Sequence, residues 1–100
     1  MIKNKKEKSF CICRPPILKT FELPSRENLL NIKIGNYVKL IFGLNEKSEK
    51  ERMWVEVTDI KGTYGYGKLA NTPIFITTLS YGDRIKFHLG DVIAIKKSYD

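Results

Sequence analysis

The chain has 100 residues, enough for one compact domain and too few for two. Its 42% hydrophobic and 29% charged residues are those of a soluble globular protein, which excludes disorder along the whole length. The net charge of +7 is unevenly spread: residues 1–20 carry Lys3, Lys5, Lys6, Lys8, Arg14 and Lys19 against Glu7 alone, whereas the other eighty hold twelve bases and ten acids.

Residues 1–9 are dominated by lysine with little to bury, and read as a mobile basic arm. They do not open a targeting signal. The apolar stretch Phe10–Cys13 is cut off by Arg14-Pro15-Pro16, short of the roughly 7–15 apolar residues a signal core needs. No apolar run approaches the roughly 18 residues of a membrane span. The expectation is a cytoplasmic protein with no membrane partner. Cys11 and Cys13 are too close in an extended chain for an unstrained disulfide, and the only histidine, His88, is remote from both. Reduced thiols and no metal or cofactor are expected.

Residues 10–34 read as an extension packed on the following domain. Ile17, Leu18, Phe21 and Leu23 are interrupted by Pro15-Pro16 and followed by Pro24, which suits an extended segment rather than a helix. Ser25 is placed to cap one short turn running from Arg26 to Leu30, because its hydroxyl can accept from the turn's free N–H groups.

From Gly35 the pattern has a period of two. Tyr37–Phe42 places Val38, Leu40 and Phe42 on one face, and the charged loop Gly43–Glu51 reads as an exposed, mobile connection. Arg52–Ile60 sets Met53, Val55 and Val57 against Trp54, Glu56 and Thr58. After a turn at Lys61-Gly62, Tyr64–Leu69 places Gly65 and Gly67 inward, where missing side chains let the strand coil and a backbone approach. Asn71-Thr72-Pro73 breaks the pairing, Ile74–Ile76 reads as a short strand, and Ser80–Asp83 turns again. Arg84–Leu89 points Ile85, Phe87 and Leu89 inward; Val92–Ile95 is a last strand or turn. The fold class is mainly β: a small SH3-like antiparallel β-barrel over residues 35–100, with an N-terminal extension and at most one short helix. Because so small a core is marginal, the extension is expected to add apolar contact.

The candidate binding residues are Trp54, Glu56, Tyr64, Tyr66, Lys68, Arg84 and Lys86. Trp54, Tyr64 and Tyr66 read either as an open aromatic platform or as a second small core beneath Phe21 and Leu23; the area such rings bury favours the second. Catalysis is not expected. There is no nucleophile elbow or phosphate-binding glycine loop, and Glu56 and Asp59, three apart on a strand, should point to opposite faces. The expected role is non-catalytic binding of a protein partner, through the outward face of the second and third strands and the loop Gly43–Glu51. The alternative is nucleic-acid binding through the basic arm, Lys68, Arg84 and Lys86, against which a nearly neutral barrel argues.

The segments Glu51-Arg52-Met53-Trp54-Val55-Glu56-Val57, Gly67-Lys68-Leu69-Ala70-Asn71-Thr72-Pro73 and Tyr81-Gly82-Asp83 resemble, in order and spacing, a family of uncharacterised bacterial proteins often called YegJ-like (domain of unknown function 2314). The likeness covers about residues 35–95. Some similar proteins are grouped with immunity proteins that neutralise toxins of neighbouring bacteria, so the resemblance implies a binding module without chemistry. It carries over Trp54, Asn71, Pro73, Gly82 and Asp83, each with a structural explanation in turn geometry or packing. The lysine-rich start with Cys11 and Cys13 departs from the pattern.

Overall fold

A computed structural model describes residues 9–15 and 23–97. The basic arm up to Lys8, and Ile17, Leu18 and Phe21 of the extension, lie outside the described residues. Six antiparallel strands form one curled sheet: β1 (Cys11–Cys13), β2 (Tyr37–Gly43), β3 (Lys50–Lys61), β4 (Tyr64–Leu69), β5 (Arg84–His88) and β6 (Ala94–Lys96). β2 to β5 run as a meander. A 3-10 turn, Leu89–Asp91, then carries the chain back so that β6 pairs β2 over Tyr37–Lys39. β1 occupies the rest of that same edge, over Ile41–Gly43, so two short strands cap one long one end to end. The result is a mainly β, SH3-like half-barrel.

The alternation explains the core. Val38, Leu40 and Phe42 on β2, Met53, Val55 and Val57 on β3, Leu69 on β4, and Ile85 and Phe87 on β5 are all buried and form one cluster. No polar or charged residue among those described is buried. Gly65 and Gly67 also face inward, and their bareness has a cause: a Cβ at Gly65 would overlap the Phe87 ring, and one at Gly67 would strike the Glu56 backbone carbonyl. The sheet therefore coils tightly where β4 crosses it.

Outside the meander, α1 (Arg26–Leu30) is a five-residue helix whose Ser25 Oγ accepts from Asn28 N–H at 3.1 Å, the cap the sequence predicts. Ile32 joins the core, and Leu29, Phe10 and Ile12 pack against it. The Phe10 ring lies 6.0 Å from that of Phe42. Phe10–Cys13, read only as extended chain, is thus partly a strand.

Two expectations are corrected. First, β3 carries a bulge between Val57 and Asp59. The extra residue shifts the alternation by one, so Asp59 pairs Tyr66 on the same outward face on which Glu56 pairs Lys68; the two carboxylates do not point to opposite sides. The hydroxyl of the bulged Thr58 donates to the Tyr66 carbonyl at 3.3 Å. Second, Ile74–Ile76 is not a strand. Its backbone N–H groups turn to a side-chain carboxylate, that of Glu51, instead of to a neighbouring strand. The loop 44–49 is exposed, as its charges predict, and carries its own hydrogen bonds. Ser48 Oγ accepts from the N–H groups of Leu44 and Asn45, and the Lys50 ammonium donates to the carbonyls of Asn45, Glu46 and Ser48 at 3.2, 2.8 and 2.7 Å.

Candidate functional site

Strand register arranges the outward side chains in rows across the sheet. One row runs Lys39–Trp54. The next runs Lys96–Tyr37–Glu56–Lys68–Arg84, followed by Asp59–Tyr66–Lys86 and finally Lys61–Tyr64–His88. With Arg52, one row beyond Trp54, this face holds seven bases (Lys39, Arg52, Lys61, Lys68, Arg84, Lys86 and Lys96) against two acids, Glu56 and Asp59. The nearly neutral charge balance of the barrel region hides this segregation, because Glu27, Glu46, Glu49, Glu51, Asp83 and Asp91 all stand elsewhere. A near-neutral sum therefore does not count against an anionic partner for this face.

The aromatic residues on this face are interleaved with cations. Lys39 Nζ lies 5.2 Å from the Trp54 ring centre, and Lys86 Nζ lies 4.8 Å from Tyr64 and 5.9 Å from Tyr66. Tyr64 meets His88 edge-on at 5.2 Å. Tyr64 is exposed, and Trp54 and Tyr66 are half-buried. They do not form one continuous platform. The Glu56–Lys68 pair stands between Trp54 at one end and the two tyrosines at the other. Leu23, expected above these rings, instead lines a groove with Pro24 and Ile93 to Ile95 at the opposite edge.

All seven sequence-chosen residues, Trp54, Glu56, Tyr64, Tyr66, Lys68, Arg84 and Lys86, lie on this one face. Three of them, Tyr66, Arg84 and Lys86, line a groove of about 470 Å³ together with Thr58, Asp59 and Lys61. The Asp59 carboxylate reaches Lys61 at 4.0 Å and accepts from the Ile60 N–H, so the groove's single acid is partly compensated. Of the charged residues on this face, sequence reasoning missed Lys39, Arg52, Lys61, Lys96 and Asp59. The bulge that places Lys61 and Asp59 has no glycine or proline to announce it.

Asn71 closes one end of the face. The chain leaves β4 after Ala70, whose N–H bonds the Trp54 carbonyl, and the Asn71 side-chain oxygen then accepts the Trp54 N–H in place of a further backbone carbonyl. Asp83 accepts from Ser80 N–H at 2.8 Å, and Gly82 has a φ of 88°, so both serve the turn. His88 Nδ1 accepts from Gly90 N–H at 2.9 Å and caps the 3-10 turn. Cys11 and Cys13 are free thiols with sulfurs 4.0 Å apart, about twice a disulfide length. Burial, then the neighbouring Cys11, pushes the Cys13 thiol up. Among the described residues there is no group of three metal-capable side chains, and no helix is long and apolar enough to cross a membrane.

The model of one family, described as Uncharacterized protein conserved in bacteria (DUF2314), matches residues 20–94, and the chain belongs to that family. No curated protein and no solved structure matches the chain.

Proposed function

We propose that this DUF2314 protein is a non-catalytic, cytoplasmic binding module that holds an acidic protein partner on the outward face of β3, β4 and β5. The observation that carries the reading is the segregation of seven bases against two acids on one sheet face, with four aromatic residues, Tyr37, Trp54, Tyr64 and Tyr66, set among them. Such a face attracts an anionic surface over the range of the Debye length and offers ring edges for contact once water is displaced. Tyr64 and Tyr66 with Lys86 between them are the anchors, since aromatic and cationic side chains dominate binding energy at interface centres. An accessory or immunity-type role is compatible with a partner of that charge.

The test is a charge reversal at Lys68, Arg84 and Lys86, which are all exposed and leave the core untouched. Affinity capture with the wild-type chain should recover an acidic protein that the triple variant K68E/R84E/K86E loses. Equal capture by both, or turnover of a small molecule by the purified chain, contradicts the reading. One observation favours a second reading. An ammonium held over two neighbouring rings is an arrangement that suits bases and phosphates of a single nucleic-acid strand. An oligothymidylate complex that weakens steeply with salt and fails in the triple variant would select it.

A further inference from the structure

The loop between β4 and β5 shows a feature that the sheet face does not explain. Glu51 occupies the inward position one step before Met53, at the open end of the core row. Its carboxylate accepts three consecutive backbone N–H groups, from Ile74 at 2.7 Å, Phe75 at 2.9 Å and Ile76 at 3.2 Å. Burial acts to raise the Glu51 pKa, and the three donors outweigh it and hold the group below its ordinary value. The loop is fastened again just beyond this point. Ile76 and Leu79 are buried in the core, and the Thr78 hydroxyl donates to the Ser9 carbonyl. What the fastening presents is apolar: Ile74 is 76% exposed and Phe75 52%.

A loop fixed by a carboxylate and two core anchors has no structural need for two large exposed apolar side chains at its tip, where polar residues would cost nothing. Beside the tip runs a groove of about 670 Å³ whose wall includes Ile41, a buried residue outside the main core cluster, and whose rim carries Arg14 and Arg52. The one acid in the groove, Glu51, has its charge shared among three backbone donors. An apolar anchor beside two guanidinium groups, which suit bidentate contact with carboxylates, is complementary to an acidic segment bearing an apolar side chain.

We propose that the Ile74–Phe75 tip and its groove form a second docking site, which takes an acidic peptide segment of a partner protein with one apolar side chain seated between Phe75 and Ile41. Preorganisation by Glu51 lowers the ordering cost of binding. The site shares Arg52 with the edge of the sheet face, but its apolar anchor, Ile74 and Phe75, lies apart from the Lys68, Arg84 and Lys86 cluster, and its test is separate. A random twelve-residue peptide library displayed on phage is selected on the immobilised full chain. The expected winners combine Asp or Glu with an aromatic or branched aliphatic residue. Synthetic versions should bind I74S/F75S at least about tenfold more weakly and bind K68E/R84E/K86E within about twofold of wild type. Both serines replace exposed side chains, and an unchanged amide fingerprint spectrum confirms that the variant is folded. No enrichment, enrichment of basic peptides, or equal binding by I74S/F75S overturns the proposal. Sedimentation of the chain with phosphatidylglycerol vesicles, lost in I74S/F75S, overturns it in favour of a membrane surface.

Discussion

Replacing Glu51 by Gln tests how the β4–β5 loop is held. The glutamine keeps one oxygen able to accept an N–H, but its amide nitrogen is a donor and faces donors, so one to two of the three bonds to Ile74, Phe75 and Ile76 are lost. Hydrogen bonds to a charged group contribute roughly 1.5–3 kcal/mol each, and at this half-buried site the lower end applies; the expected loss is about 1.5–3 kcal/mol. Amide exchange at Ile74–Ile76 should quicken about tenfold or more, with β2 and β3 unaffected apart from any global loss. The pH dependence has a definite sign. The folded Glu51 carboxyl lies below its ordinary 4.5, so its contribution is complete above that value and fades as pH falls through the folded pKa. Asp91 behaves oppositely: burial raises its pKa, opposed in part by His88 and Arg14, so stability is lost as its carboxyl ionises. That term is common to both chains and cancels in their difference. Urea denaturation from about pH 7 down to about pH 3 should therefore show wild type and E51Q converging on acidification. A constant gap across the range, or unchanged exchange at Ile74–Ile76, would refute the carboxylate's role.

Two further substitutions probe the frame beneath the face. Gly67→Ala sets a methyl group against the Glu56 carbonyl and should cost about 3 kcal/mol by urea denaturation, because backbone cannot rotate aside. Gly65→Ala meets the Phe87 ring, a side chain, so Phe87→Leu should partly rescue it and the double variant should be more stable than the two single losses added together. Asn71→Ala leaves the half-buried Trp54 N–H without its acceptor; a loss of about 1 kcal/mol and a change in Trp54 emission are expected, and an unaltered spectrum would count against the bond.

The strand faces were legible because their signal is local. Val38, Leu40 and Phe42, Met53, Val55 and Val57, and Ile85 and Phe87 alternate strictly, and each one is buried. Ser25 as a cap and the inward glycines followed from residue type alone. What escaped depends on contacts distant in sequence. Ile74–Ile76 has the composition of a strand, yet a carboxylate 23 residues earlier takes its N–H groups. The bulge at Thr58 has no marker, so the shared side of Glu56 and Asp59 was invisible until pairing with Tyr66 and Lys68 was known. The three-residue β1 is too short to show a period. The charge of the outer face was masked by summing over the chain, since acids and bases separate only when the register is drawn.

The most direct measurement of the binding face is a calorimetric titration of the captured acidic partner into wild type and into K68E/R84E/K86E at two salt concentrations. Three reversed charges at about 1 kcal/mol each predict a loss of roughly 100-fold or more at low salt, and a smaller gap when salt is raised. Affinities within about twofold of each other, independent of salt, would contradict the assignment of the β3–β5 face as the site where this protein meets its partner.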